Sequence, residues 1–483
     1  MTSTVDLSRE VPERIDAEVD VAVIGAGAAG IVCALRAADG GAEVAVFERD
    51  PSPAGSTSMS SGFIPAAGTR FQRAANIADD SAGLFEADIQ AKSHGRSDPR
   101  LARLATRSIA AALEWLDDEA GLEWIVLDDF LYPGHSRHRM HAVPERTGEA
   151  LMSRLLAAAR SRDIPILTSA RATRLYIGAD RRIRAVGIER PDGGNEIVGC
   201  NALVLACNGY GGNRELVGRY IPSMSQALYY GHAGNTGDAV VWGEQLGARL
   251  EHLSGCQGHG SLAHPHAILI TWALMTRGGI QVNAQGLRFS DESGGYSEQA
   301  VHVLSQPDAI AWNVYDAGIH EFGLSFPDYR EAVDAGAVLE AADVGELAAR
   351  IGVPAGNLRR TLEAIDAARR GGQDDFGRDF TQLPPLKAPF HAVRVTGALF
   401  HTQGGLLVDD STRVVDRNGA VFPNLFAVGG AACGVSGPDV SGYLSGNGLL
   451  TAVAFGFVAG MEAAGRSGSA QANTNTDLTG GSR

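Results

Sequence analysis

Residues 20–24 (DVAVI) are a run of β-formers, and the period changes directly after them. The stretch 31–41 (IVCALRAADGG) reads as an alanine-rich helix, and 43–47 reads as a second buried strand that ends in Glu48. Between strand and helix lie Gly25, Ala26, Gly27, Ala28, Ala29 and Gly30, so the order is strand, G-x-G-x-x-G, helix, strand, acid. That is a complete βαβ nucleotide unit. The first glycine makes the tight turn, the second admits a pyrophosphate to the helix N-terminus, and the third lets helix pack on strand. Glu48 lies 18 residues after Gly30, at the place of a ribose-binding acid.

The same alternation of buried strand and glycine turn returns twice. Residues 202–206 (ALVLA) lead into Cys207, Asn208, Gly209, Tyr210, Gly211, Gly212 and Asn213. Residues 424–431 (NLFAVGGA) repeat the theme near the C-terminus, so the chain returns to the nucleotide domain after a long insertion. Inside the insertion, 339–370 reads as two helices split at 353–357. From Gly404 onward the pattern gives the strands LLVD and VVDRNGAVF, the latter with a hairpin turn at 417–419. A closing helix starts around Gly448. The longest uncharged stretch, 440–461, is rich in Gly and Ser and reads as a glycine loop plus a buried helix, not a membrane span. Residues 466–483 are low in complexity and are expected to be a disordered tail.

Composition narrows the function class. The 41 Lys and Arg against 56 Asp and Glu give a net charge of -15 with no basic run, which argues against a nucleic-acid partner. Five cysteines without a CxxC argue against a disulfide scaffold, a zinc ribbon or a c-type haem. The first 20 residues carry no apolar segment, so the expected location is cytoplasmic. Glycine stands out, with 61 residues against a usual share of ~7%.

The loop after Glu48 separates two cofactors. Residues 49–62 (RDPSPAGSTSMSSG) form a small-residue loop that suits FAD, whose pyrophosphate and flavin continue past the ribose; a pure NAD domain has no need of it. Together these segments resemble the flavoprotein family of fumarate reductase, succinate dehydrogenase, aspartate oxidase and the 3-ketosteroid dehydrogenases, over roughly residues 20–465. The motifs that carry the resemblance are GAGAAG, the Ser-rich loop, LVLACNGYGGN, NTGDA at 235–239, RFSDE at 288–292, HTQGG at 401–405 and LFAVGGAA.

The resemblance implies an α/β fold, with a Rossmann-like FAD-binding domain and an inserted, smaller α+β substrate-capping domain. The expected boundaries are 1–222 and 386–465 for the FAD domain, 223–385 for the cap and 466–483 for the tail. It implies FAD contacts from the fingerprint (Gly25, Gly27, Ala28, Ala29, Gly30) and from Glu48 and Arg49. Further contacts are implied for Ser56, Ser60, Ser61 and Gly62 of the loop, and for Ala172. Cys207, Asn208, Gly209, Asn213 and Asp238 follow, then Gly429, Gly430 and Ala431, and finally Gly446, Asn447 and Leu449. In some family members a histidine of the Ser-rich loop carries the flavin covalently. No histidine lies between Glu48 and Arg70, so non-covalent FAD is expected. The closing helix is expected to aim its positive N-terminal end at the flavin.

Two positions separate members of the family. Fumarate reductases resemble one another in an arginine seven residues after the Phe of RF-x-x-E and a second in a segment of the form R-L-G-G-N. Here the first position is Tyr296 and the second segment reads Tyr443-Leu444-Ser445-Gly446-Asn447. An arginine is a permanent cation with a fork of donors matched to carboxylate. A tyrosine is neutral, with a pKa of about 10, and offers one hydroxyl. The tyrosine pair resembles that of the 3-ketosteroid dehydrogenases, and Tyr443 with Ser445 looks closest to the Δ4-(5α) branch.

That resemblance implies desaturation beside a ketone. Tyr443 polarises the carbonyl, Tyr296 takes the α-proton, and Tyr132 is a candidate assistant to the base. The alternative is fumarate-reductase-like reduction of an unsaturated acid. His401, in HTQGG, is either a flavin-side structural residue or a holder of a substrate carboxylate or hydroxyl. If functional, it favours a substituted cyclohexanone such as 4-oxocyclohexanecarboxylate over a 3-ketosteroid. The electron acceptor (oxygen, a quinone or an artificial dye) is left open by the sequence. Ser445 reads equally as a helix cap.

The remaining candidates read as structure. His135, His138 and His141, and His264 with His266, lack the third ligand and carboxylate network of a metal site, so no metal is expected. The loop holding Arg137 and Arg139 is expected to be solvated or substrate-facing. Cys433 reads as a small buried residue before it reads as a reactive thiol, and Asp291 and Glu292, like Asp238, read as acceptors of backbone N–H groups in turns.

Overall fold

The computed structural model describes residues 5–10 and 12–474, the last nine of these by backbone alone. Two compact units emerge. The first is Met1–Tyr220, Gly231–Cys256 and His401–Arg483, and the second is Ile221–Tyr230 and Gln257–Phe400. The expected boundaries at 222/223 and 385/386 therefore move. Residues 231–256 go with the first unit because the helix Asp238–Leu246 sits there, its Trp242 donating to the Asp6 carbonyl, and Leu250–Glu251 pairs with Gly405–Leu406. The second unit runs on to Phe400 because the strand Phe390–Thr402 carries its sheet.

The first unit is built on a nine-stranded sheet. Its parallel centre is Val421–Ala427, Asn195–Leu205, Ala17–Ile24, Val44–Phe47 and Ile166–Leu167. Val21, Ala22 and Val23 are fully buried, as strands covered on both faces must be. The helix Ala28–Asp39 covers the sheet, and the closing helix, which begins at Asn447, packs on it. Asn447–Gly465 is long and apolar enough to cross a membrane, with a mean hydropathy of 1.5, yet most of it is buried in this unit. The backbone of this helix runs to Thr474, so the expected disordered tail starts as helix; residues 475–483 lie outside the described residues.

The second unit has a seven-stranded sheet whose central strand, Phe390–Thr402, pairs antiparallel with Ile310–Asp316. Alternation along it sorts the core into two. Phe390 and Ala392 join Ile280, Val282 and Val314 on one face, while Val393 and Val395 join Ala311 and Tyr315 on the other. The two expected helices are Val344–Ile351 and Ala355–Arg369. The first starts later than expected: Val338–Ala341 is a strand paired with Phe390–Thr402, and Asp343 caps the helix by accepting from the Gly345 and Glu346 N–H groups.

RFSDE closes this unit with buried charge. The Glu292 carboxylate accepts from Arg288 at 2.7 Å, from Arg378 at 3.0 Å and from the Gln281 N–H at 3.0 Å. Arg288 also pairs with Asp374. All four charged side chains are buried, so neutralising the shared anion strands Arg378 and leaves Arg288 with Asp374 alone. Glu292→Gln is expected to lower the unfolding free energy by about 3–5 kcal/mol, read from denaturant midpoints; an unchanged midpoint would show that the cluster is not holding the sheet.

Candidate active site

The nucleotide end follows from three glycines and one helix start. Gly25 has a φ of +106°, and a Cβ there would sit 2.5 Å from the Ala206 carbonyl oxygen; at Gly30 it would sit 1.9 Å from the Gly25 oxygen. Strand and helix therefore touch backbone to backbone. Gly27 begins the helix Ala28–Asp39 with no side-chain cap, and a Cβ on it would meet only Thr57 Oγ1, at 3.6 Å. The helix N-terminus is thus an open cradle with its positive end exposed to an anion. Thr57 Oγ1 accepts from the Ala28 N–H, and Glu48 accepts from the Ala26 and Asp50 N–H groups at 2.9 and 3.0 Å. Glu48 braces the loop, and each of its oxygens keeps lone-pair capacity for a ribose.

The other expected FAD contacts divide into two groups. Ser56 Oγ accepts from Asn208 and Asn235 side chains at 3.1 and 2.9 Å, which leaves its own proton to donate. Asn208 holds a φ of +63°, and its Oδ1 accepts from the Gly209 N–H. Ser61 follows Ser60 in the loop and is exposed. Gly429–Ala431 is a single 3-10 turn after the strand Val421–Ala427, and Leu449 lies in the first turn of the closing helix. Asn447 is fully buried with no hydrogen-bond partner for its Oδ1, beside Gly446 at φ +85°. A donor on a bound flavin ring fits that orphaned acceptor.

The second group is spent on the protein. Ser60 donates to the Thr57 carbonyl and accepts from Gly62, which packs on the Thr147 carbonyl. Asn213 caps the helix Arg214–Tyr220 and donates to the Thr236 carbonyl. Asp238 accepts from Thr236, and Arg49 donates to the Gly234 carbonyl. Ala172 lies within the strand Arg171–Ile177, and burial pushes the Cys207 thiol up to about 12.

A second polar group lies in the same unit. Gln403 Nε2 is 2.8 Å from His401 Nδ1, Ser436 donates to Gln403 Oε1 at 2.8 Å, and Asn447 donates to Ser436 at 2.9 Å. A Cβ built on Gly448 would lie 4.0 Å from Tyr443 OH, 4.0 Å from His401 Nδ1 and 4.0 Å from Gln403 Nε2. Tyr443, His401 and Gln403 therefore converge on one bare glycine, and none of the three is a permanent cation. Burial lowers His401 to a pKa of about 4.

Tyr132 packs against Phe63 and Phe130 at 6.3 and 4.9 Å between ring centroids. The carbonyl of Ser445 is held by His135 Nε2 at 2.9 Å. Arg139 is buried, not solvated as expected, because Asp80 and Asp88 neutralise it. His141 is spent on Thr69 and the Arg139 carbonyl, and Cys433 lies buried 3.5 Å from His252 Nδ1.

Tyr296 belongs to the second unit. It opens the helix Tyr296–Leu304 after Gly295, whose φ is +138°. Its ring stacks on His259 at 5.1 Å, and His259 stacks on Phe400 at 5.4 Å. The His259 Nδ1 accepts from the Ser261 N–H at 3.2 Å, so the proton sits on Nε2, and burial pushes its pKa down to about 3. Sequence reasoning missed His259, Gln403 and Ser436. Gln403 was in plain view inside HTQGG; His259 has no local signature, since only the strand Cys256–Ala263 brings it under Tyr296.

The chain belongs to the FAD-binding-domain family, whose pattern matches residues 20–449. It is 28% identical to a probable fumarate reductase of Shewanella frigidimarina over 92% of this chain and 74% of that protein. It is 26% identical to a 4-oxocyclohexanecarboxylate 2-dehydrogenase of Sinomonas cyclohexanicum over 92% and 93%. The fold is that of a 3-ketosteroid Δ4-(5α)-dehydrogenase from Rhodococcus jostii, with a TM-score of 0.77, 24% identity and coverage of 95% and 99%. The protein is thus an FAD-dependent oxidoreductase of the fumarate reductase family.

Two expected outcomes follow. Acid or heat denaturation releases the whole of the FAD, measured as flavin in the supernatant; flavin that stays on the denatured chain would refute non-covalent binding. His135, His141 and His401 are held near 4 and His259 near 3, against 6.5 for a free imidazole. The unfolded chain takes up protons first, so stability present above about pH 6.5 is lost as pH falls toward 4. Thermal midpoints should drop across that window, and less steeply in His141→Gln.

Proposed function

We propose that the protein is an FAD-dependent desaturase that converts a cyclic ketone to its α,β-unsaturated ketone. The observation that carries this reading is the neutral convergence of Tyr443 and His401 on Gly448, at a place where carboxylate-reducing relatives are expected to carry an arginine. A single phenol is a poor clamp for a dicarboxylate and a good donor to a carbonyl.

The substrate gives up one proton from the α-carbon and one hydride from the β-carbon, which together amount to two electrons. Tyr443 donates a hydrogen bond to the ketone oxygen. That bond strengthens as the oxygen gains enolate charge, so it acidifies the α-hydrogen in the transition state. Tyr296, as phenolate, takes the α-proton. The stack with His259 and Phe400 fixes the plane of the Tyr296 ring. Bound FAD supplies the hydride acceptor, and an oxygen, quinone or dye-type acceptor returns it to the oxidised state. The second reading, reduction of an unsaturated acid, rests on the Shewanella relative.

Anaerobic mixing separates the two readings. The flavin should bleach with a cyclic ketone, whereas reoxidation of reduced flavin by fumarate, without ketone bleaching, would establish the reductase. Tyr296→Phe should cut turnover by about 10²–10⁴-fold while ketone binding holds. Tyr443→Phe should weaken both, read from kcat and KM separately. Wild-type rates in Tyr296→Phe would remove it from the chemistry.

A further inference from the structure

The polar chain behind His401 runs in one direction. The Asn447 Nδ2 group can only donate, so Ser436 Oγ accepts from it and turns its own proton to Gln403 Oε1. That bond orients the amide with its NH₂ toward His401 Nδ1. The backbone that carries this amide is held at both of its polar groups. Its backbone N–H donates to the Gly255 carbonyl at 2.8 Å, and its own carbonyl accepts from the Gly434 N–H at 2.8 Å. Gln403, Ser436 and Asn447 are all buried.

A ring nitrogen that faces an N–H donor is an acceptor. Nδ1 is therefore bare, and the single imidazole proton sits on Nε2. A second protonation would place an N–H on Nδ1 against the N–H of Gln403, with no acceptor available unless the whole chain reversed. No charged side chain contributes to the lowered pKa of His401; its burial alone does. On the Nε2 side lies Gly430, where a Cβ would sit 3.0 Å from that nitrogen and 2.2 Å from Asn208 Oδ1, so only a bare glycine leaves this nitrogen uncovered.

We infer that Gln403 is a specificity-determining positioning residue: it locks His401 as a neutral Nε2–H donor, so the substrate's second polar end is an uncharged oxygen and not a carboxylate. This rests on the desaturase reading proposed above and on the second of the two sequence readings of His401, that of a holder of a polar group on the substrate. It narrows the expectation from sequence, in which a ring acid such as 4-oxocyclohexanecarboxylate was favoured. A carboxylate gains most from a cation, through a charge-assisted bond, and this imidazole is held away from becoming one. A carbonyl, amide or hydroxyl oxygen loses little by meeting a neutral donor.

The test pairs two near-isosteric rings, 4-oxocyclohexanecarboxylate and 4-oxocyclohexanecarboxamide, with the FAD-loaded enzyme. Wild type should favour the carboxamide in kcat/KM. Gln403→Glu replaces the donor with an acceptor for an Nδ1–H, so the acid-to-amide ratio should rise by roughly tenfold or more. Gln403→Met removes the lock without supplying an anion, and should add a protonation step to the pH profile of kcat/KM between about pH 5 and 7.

Nitrogen NMR of ring-labelled histidine, assigned by His401→Asn, gives a readout independent of turnover. The wild-type ring should be the neutral Nε2–H form at pH 7, and the Gln403→Glu ring cationic. A wild-type ring protonated on Nδ1, or an unchanged acid-to-amide ratio in Gln403→Glu, overturns the inference. A neutral Nε2–H ring together with no flavin bleaching by any ketone upholds the lock and sinks the desaturase reading instead.

Discussion

Close backbone contact between two helices sets the geometry of the first unit. A Cβ on Gly456 of the closing helix would lie 2.6 Å from the Ala29 carbonyl oxygen, and one on Gly460 would lie 2.4 Å from the Cys33 oxygen. The helix Ala28–Asp39 and the helix that begins at Asn447 therefore meet with no side chain between them. Such an approach is open only to glycine and fixes their mutual position tightly. One of these helices presents the uncapped N-terminus at Gly27, and the other presents Asn447 and the bare Gly448. The nucleotide cradle and the His401 group are held by one contact.

Asn447 ties those two ends together chemically. Its Nδ2 starts the chain that reaches His401 through Ser436 and Gln403, and its Oδ1 is left without a partner. A buried unsatisfied acceptor is costly. A flavin-ring donor would relieve that cost and at the same time fix the amide's orientation. On the proposed reading, the amide that would meet the cofactor is also the first link of the chain that reaches His401.

Much of this was legible in the sequence because it was local. The βαβ fingerprint, the split at 353–357 and the turn at 417–419 each follow from residues within a few positions of one another; the structure forms the first and the last, and breaks the helices slightly earlier, at 352–354. The strand Val338–Ala341 was misread as helix because its partner, Phe390–Thr402, lies some fifty residues away. Arg139 was misread as solvated for the same reason: Asp80 and Asp88 are distant in sequence and adjacent in space. The tyrosines at 296 and 443 could be found by position within motifs. The role proposed for Gln403 could not, because it depends on the direction of a hydrogen-bond chain drawn from two loops and the start of the closing helix.

The loss of cations has a consequence for the direction of chemistry as well as for binding. A cationic clamp stabilises a carboxylate equally in the ground state and the transition state, which lowers KM without accelerating the reaction. A neutral phenol bound to a ketone does the opposite. Its bond is modest to the carbonyl and stronger to the enolate oxygen that forms as the α-proton leaves. In the proposed desaturase, a tyrosine at 443 in place of arginine would therefore move interaction energy from recognition to catalysis. A neutral His401 completes that arrangement, because an imidazolium beside the ring would attract any carboxylate and restore uniform binding. The lock proposed for Gln403 acts in the same direction as a tyrosine in place of arginine: neither offers a carboxylate a permanent cation.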